Sequence, residues 1–129
     1  MLLSPTCCDA LYRKAIRTSM GATLRVPFAS AAPDDWPRLL TRVKAAGFTI
    51  VALTPREPSE TLDAFAARPR APRIALIVGA EGAGLTPSVE AAADCRVRIP
   101  IGDSVDSLNV AVAAGIALHA LGRRATAVP

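Results

Sequence analysis

This sequence of 129 residues predicts an α/β domain built on a mostly parallel sheet. Two observations lead there: short apolar, β-rich runs alternate with longer segments at helical spacing, and turn residues punctuate the alternation. A third is capacity, since 51% hydrophobic residues in a chain of this length suffice for one buried core.

Taken in order, Leu2, Leu3, Ser4 and Pro5 read as the tail of a strand. Thr23 to Ala29 (TLRVPFA) reads as a further strand, which Pro27 confines to an edge or ends. Asp34 or Asp35 caps a helix running to about Ala46, with Trp36, Leu39, Leu40 and Val43 at helical spacing and Gly47 as its stop. Phe48 to Leu53 (FTIVAL) is a buried strand closed by Thr54 and Pro55. Ser59, Leu62, Phe65 and Ala66 suggest a short helix, and Arg68 to Arg73 (RPRAPR) a rigid basic connector. Arg73 to Val78 is the next strand, Thr86 to Ala92 a short helix, Arg96 to Ile99 a strand, and Ser107 to Leu121 the final helix. No repeat or second domain interrupts the series.

Composition narrows the function. Fifteen Lys and Arg against eleven Asp and Glu give a net charge of +4, which favours a polyanionic partner. Aromatic residues make up 4%, so stacking on bases is not an evident binding mode. Cys7, Cys8 and Cys95 are odd in number, and sequence neighbours rarely pair, which points to a reducing, cytoplasmic compartment. With one histidine, His119, and no CxxC spacing, a structural zinc site is not expected. The longest apolar run, Leu108 to Leu118, is too short to span a bilayer, and the N-terminus lacks the basic leader of a signal peptide.

The chemistry concentrates in two stretches. IVGAEGAG, residues 77–84, leaves an apolar strand, and in open α/β sheets ligands gather outside the carboxyl ends of strands. Its GxxGxG spacing matches neither the dinucleotide fingerprint nor the P-loop, and Glu81 would repel phosphate. On these residues alone, a plain turn with a solvated acid competes with a ligand wall. VRIPIGDSVDSLNVAVAAG, residues 97–115, closes a strand at Pro100 and opens a helix, for which Asp106 or Ser107 is a candidate cap. That helix is rich in alanine, so another backbone can approach it closely. Capping does not account for Ser107 and Asn109 together, and two polar-tipped strand ends make a pocket.

The run ALIVGAEGAGLTPSVEAAADCRVRIPIGDSVDSLNVAVAAGIALHAL resembles the second and third motifs of the SpoU/TrmH family of SPOUT-class RNA methyltransferases. PTCCDALYRKAIRTSMGATLRVPF is similar to that family's segment between its first and second motifs, so the likeness covers nearly the whole chain. It implies a parallel sheet with a C-terminal trefoil knot, S-adenosylmethionine bound in the knot, a homodimer, and methylation of a ribose 2′-hydroxyl in tRNA or rRNA. Gly79, Ile99 and Leu108 would lie against the cofactor, with Leu53, Thr54, Ala80 and Ile101 completing the adenosine pocket. Glu81, Ser107 and Asn109 match the motif residues of the active site. No metal or membrane partner is implied.

The family's first motif, an Asn followed by an Arg, has no counterpart here. The resemblance therefore implies that residues 1–129 form a single domain without the first strand and helix, and a non-catalytic cofactor- or RNA-binding remnant is the competing reading. Arg17 is expected to position RNA or meet its phosphates. Arg68, Arg70 and Arg73 are expected either to meet phosphates or to form a solvated connector. His119 is expected at an interface or surface, Trp36 in packing, and Cys7 and Cys8 have no catalytic partner.

Overall fold

The structure, a computed structural model, describes residues 1–69, 72–102 and 107–122. The chain divides into two compact units, Met1–Arg42 and Val43–Pro129.

In the first unit β1 (Leu2–Leu3) pairs in parallel with β2 (Ala29–Ser30), so the expected strand tail at the N-terminus is a strand. Between them lie α1 (Arg13–Thr18), which sequence reading missed, and a 3₁₀ turn at Ala22–Leu24. The expected strand over Thr23 to Ala29 is thereby corrected. Leu24 and Val26 are exposed, so the β-propensity of TLRVPF had no ladder or apolar face to join. A second helix, α2 (Trp36–Ala45), follows, with Trp36 half-buried at its start. Its end is a Schellman motif, in which Gly47 N–H donates to Lys44 O and Phe48 N–H to Val43 O.

The second unit is a four-stranded, wholly parallel sheet in the order β4-β6-β3-β5. Its strands are β3 (Thr49–Leu53), β4 (Glu60–Thr61), β5 (Ile74–Val78) and β6 (Cys95–Arg98). Three helices connect and follow them: α3 (Leu62–Ala67), α4 (Pro87–Ala92) and α5 (Val110–Gly122). Glu60 and Thr61 were expected in a helix starting near Ser59. They instead form the edge strand, and Thr61 caps α3 by accepting from Ala64 N–H.

Alternation along the strands builds the core. Val51 and Val97 are fully buried on one sheet face with Leu62 and Phe65 of α3 and Ala117 of α5, flanked by Leu53, Leu76 and Ile99. Ile50 and Ala52 point to the opposite face and are equally buried, and α4 packs on β3. Both faces of β3 are therefore covered, which explains its uninterrupted apolar run.

At the carboxyl ends the details differ from expectation. Thr86, expected as the first residue of its helix, is instead the cap of α4 and accepts from Val89 N–H. Similarly, α5 begins at Val110 rather than Ser107, and Asn109 is its cap: Oδ1 accepts from the N–H groups of Ala111 (2.9 Å) and Val112 (3.4 Å). Asp106 and Arg70 lie outside the described residues. So do the other residues of 103–106.

Candidate functional site

The strands β3, β5 and β6 run parallel, so their carboxyl ends share one edge of the sheet, and the segments leaving them enclose a cleft of about 320 Å³. Every residue expected at the cofactor pocket or the active site borders it. From the end of β3 and the residue after it come Leu53 and Thr54, from the β5 exit Gly79, Ala80 and Glu81, from the β6 exit Ile99 and Ile101, and before α5 Ser107, Leu108 and Asn109. Val78, Val110 and Ala113 add apolar surface that had not been singled out.

The β5 wall folds tightly on itself. A Cβ placed on Gly79 would stand 2.2 Å from the carbonyl carbon of Gly84 and 2.5 Å from Leu85 N, so no larger residue fits beneath the returning backbone. Gly84 N–H donates to Ala80 O at 2.9 Å and closes the loop. At its tip Gly82 has φ +83°, the left-handed region that glycine enters without strain.

Glu81 meets Asn109 across the cleft, Nδ2 donating to Oε1 at 3.0 Å. The direction is forced, because the Asn109 oxygen is committed to the helix cap and leaves only its NH₂ group to face the carboxylate. One side chain thus starts α5 and holds the acid of the opposite wall. Ser107 and Glu81 are exposed, Leu108 half-buried.

Sequence reasoning missed the support beneath this wall. Thr54, 4% exposed, donates from Oγ1 to Glu90 Oε1 at 2.8 Å. Arg56 reaches the same oxygen at 3.4 Å and donates to Leu85 O at 3.0 Å and Ala83 O at 3.1 Å. The signal was faint: Glu90 is the one acid in the otherwise uncharged α4 segment PSVEAA, and it is buried.

The remaining singled-out residues fall elsewhere. Arg68 pairs with Glu60 at 2.8 Å and lies 4.7 Å from the centre of the Phe65 ring, while Arg73 donates to Ala46 O and lies over Phe48. Both make contacts within the chain, so neither is a bare solvated link. His119 is exposed on α5, and Cys7 and Cys8 are exposed free thiols. Arg17 is exposed on α1 with Arg13 and Lys14. Among the described residues no cluster of His, Cys, Asp and Glu could hold a metal ion, and no helix is long and apolar enough to cross a membrane.

Residues 1–119 match the pattern of the SpoU rRNA Methylase family. A Mycobacterium tuberculosis protein described as an uncharacterized tRNA/rRNA methyltransferase is 49% identical over 113 residues, which cover 88% of this chain and 38% of that protein. Among solved structures, the AdoMet-bound rRNA methyltransferase of Sinorhizobium meliloti superposes with a TM-score of 0.77 at 29% identity, over 93% of this chain and 44% of the other. A structure described as an RNA 2′-O ribose methyltransferase gives 0.74 at 28% identity, over 95% and 44%. This chain therefore spans less than half the length of each of these relatives, and the likeness extends to the parallel sheet and its flanking helices.

Proposed function

The chain belongs to the SpoU rRNA Methylase family, and from that premise we propose that it forms the methyl-donor site of an S-adenosylmethionine-dependent RNA methyltransferase acting on a ribose 2′-hydroxyl of tRNA or rRNA. The observation that carries this reading is the cleft itself, where the residues matching both family motifs converge and Asn109 grips Glu81.

The cleft suits the cofactor. Its volume of about 320 Å³ falls at the lower end of small-molecule sites, and Leu53, Val78, Ile99, Ile101 and Leu108 line it with apolar surface. Bound there, S-adenosylmethionine supplies a methyl group activated on a sulfonium centre. The chain's own contribution is to hold donor and acceptor in line, which is worth far more than any single contact. Asn109, fixed as a helix cap, keeps the Glu81 carboxylate in one orientation, and that carboxylate accepts a hydrogen bond from the acceptor ribose. Ser107 supplies a hydroxyl beside them.

Two further parts belong to the same reading. The exposed cations Arg13, Lys14 and Arg17 meet RNA phosphates. The chain pairs as a homodimer through α5, whose residues Val112, Ile116 and Leu118 are 52%, 41% and 61% exposed on a helix that lacks Lys, Arg, Asp and Glu.

Calorimetric titration of S-adenosylmethionine into wild type and Leu108→Arg tests the donor site, and saturable binding by the wild type only is expected. Transfer of labelled methyl to RNA, with the product nucleoside identified, tests the acceptor. A methylated base in place of a methylated ribose would overturn that half of the reading.

A further inference from the structure

A loop with three glycines between residues 79 and 84 is costly to order, because glycine loses more backbone freedom on folding than any other residue. Its internal hydrogen bonds, Gly84 N–H to Ala80 O and Ala83 N–H to Glu81 O, shape the loop without tying it to its neighbours. Arg56, three residues beyond the end of β3 and two beyond Thr54, ties it to the β3 side. Its guanidinium forks across the loop's return, Nη2 to Ala83 O and Nη1 to Leu85 O, satisfying two carbonyls. The fork is buttressed from behind: Arg56 Nη1 and Thr54 Oγ1 share Glu90 Oε1, and Arg56 N–H donates to Thr54 Oγ1 at 3.3 Å.

We propose that Arg56 is a positioning residue that latches the loop carrying Glu81 to the β3 wall of the cleft, and so sets the affinity for the methyl donor. The inference rests on the reading of the cleft as an S-adenosylmethionine site. A simple surface ion pair does not describe this arrangement. The Arg56 side chain is 50% exposed, and its contact with Glu90 at 3.4 Å is of the kind that contributes little. The fork is the distinctive part. A lysine in its place keeps the charge beside Glu90 but cannot hold two carbonyls in one plane. Without the fork, donor binding itself must order the loop, and that cost is subtracted from affinity.

The test titrates S-adenosylmethionine into the full-length wild type, Arg56→Ala and Arg56→Lys, and follows amide hydrogen exchange in the same proteins. Both variants are expected to bind about tenfold more weakly, the factor typical of a lost hydrogen bond to a charged group. Amides of residues 80–85 should exchange faster in both, with those of β3 and β5 unchanged. Wild-type affinity in Arg56→Lys would overturn the proposal, since charge alone would then suffice. Faster exchange throughout β3 and β5 would also overturn it, by making Arg56 a general stabiliser. If the wild type itself does not bind, the cofactor reading fails and takes this inference with it; binding by the wild type with equal binding by both variants sinks the latch alone.

Discussion

Asn109 serves two structures with one amide, and its two ends can be separated by mutation. Asn109→Ala removes the cap of α5 and should cost about 1 kcal/mol, read as a lower midpoint in urea. Asn109→Asp retains an oxygen for the cap but sets a second carboxylate against Glu81. Its unfolding midpoint should stay near wild type while methyl transfer to RNA is lost. Glycine positions in the same loop separate equally well. Gly79→Ala drives a methyl group into the backbone at Gly84 and should cost about 1–3 kcal/mol with loss of donor binding, as overpacking does. Gly82→Ala meets no atom within 4 Å and carries only the strain of positive φ, about 1 kcal/mol by denaturation. Glu81, Ser107 and Asn109 stood out as polar residues at strand ends, whereas the apolar residues bordering the cleft were legible only through the resemblance to the family's motifs. Arg56 and Glu90 were not, since their partners lie 27 to 36 residues away and no local pattern encodes such contacts.

At the level of elements, the buried strands announced themselves and the marginal ones did not. β3 and β5 are apolar runs that the sheet needs, and β6 (CRVR) buries Val97 between two arginines, whereas β4 is a two-residue edge whose residues gain only a ladder. The start of α5 shifted by three residues because the amide of Asn109 outcompeted Ser107 for the cap. Asp94 joins two of these elements: it accepts from Ile50 N–H at 2.8 Å and pairs with Lys44 at 2.7 Å. The hydrogen bond from Lys44, and next that from Ile50 N–H, hold its pKa below the ordinary 3.8. A depressed carboxyl stabilises the fold above its unfolded pKa and loses that contribution as pH falls through the folded value. The stability gap between wild type and Asp94→Asn should accordingly be largest near neutrality and shrink below about pH 4, in urea titrations at both pH values. The gap stays small throughout, because both partners are over a third exposed. Ala117, fully buried where α5 meets α3, leaves no room for a longer side chain. Ala117→Leu should destabilise by about 1–3 kcal/mol in the same assay.

Over the whole molecule, the net charge is +4 while α5 carries no Lys, Arg, Asp or Glu and is half-exposed, and the proposed dimer rests on that helix. If α5 joins two copies, Ile116→Arg should convert a dimer to a monomer in light scattering coupled to size exclusion, leaving β-sheet circular dichroism intact. The sheet order adds a consequence for synthesis. Central β3 pairs with β5 and β6, and the anchor between Ile50 and Asp94 joins residues 44 positions apart. A ribosome adding 5–20 residues per second needs roughly 2 to 9 s to cover that interval. Even once β5 has paired, the other side of Ile50, Val51 and Ala52 stays an unpaired apolar edge until β6 emerges, the kind of segment that nascent-chain chaperones bind and that aggregates when they are scarce. Slowing translation within codons 54–94 should therefore lower the soluble yield of this protein more than slowing it after codon 98.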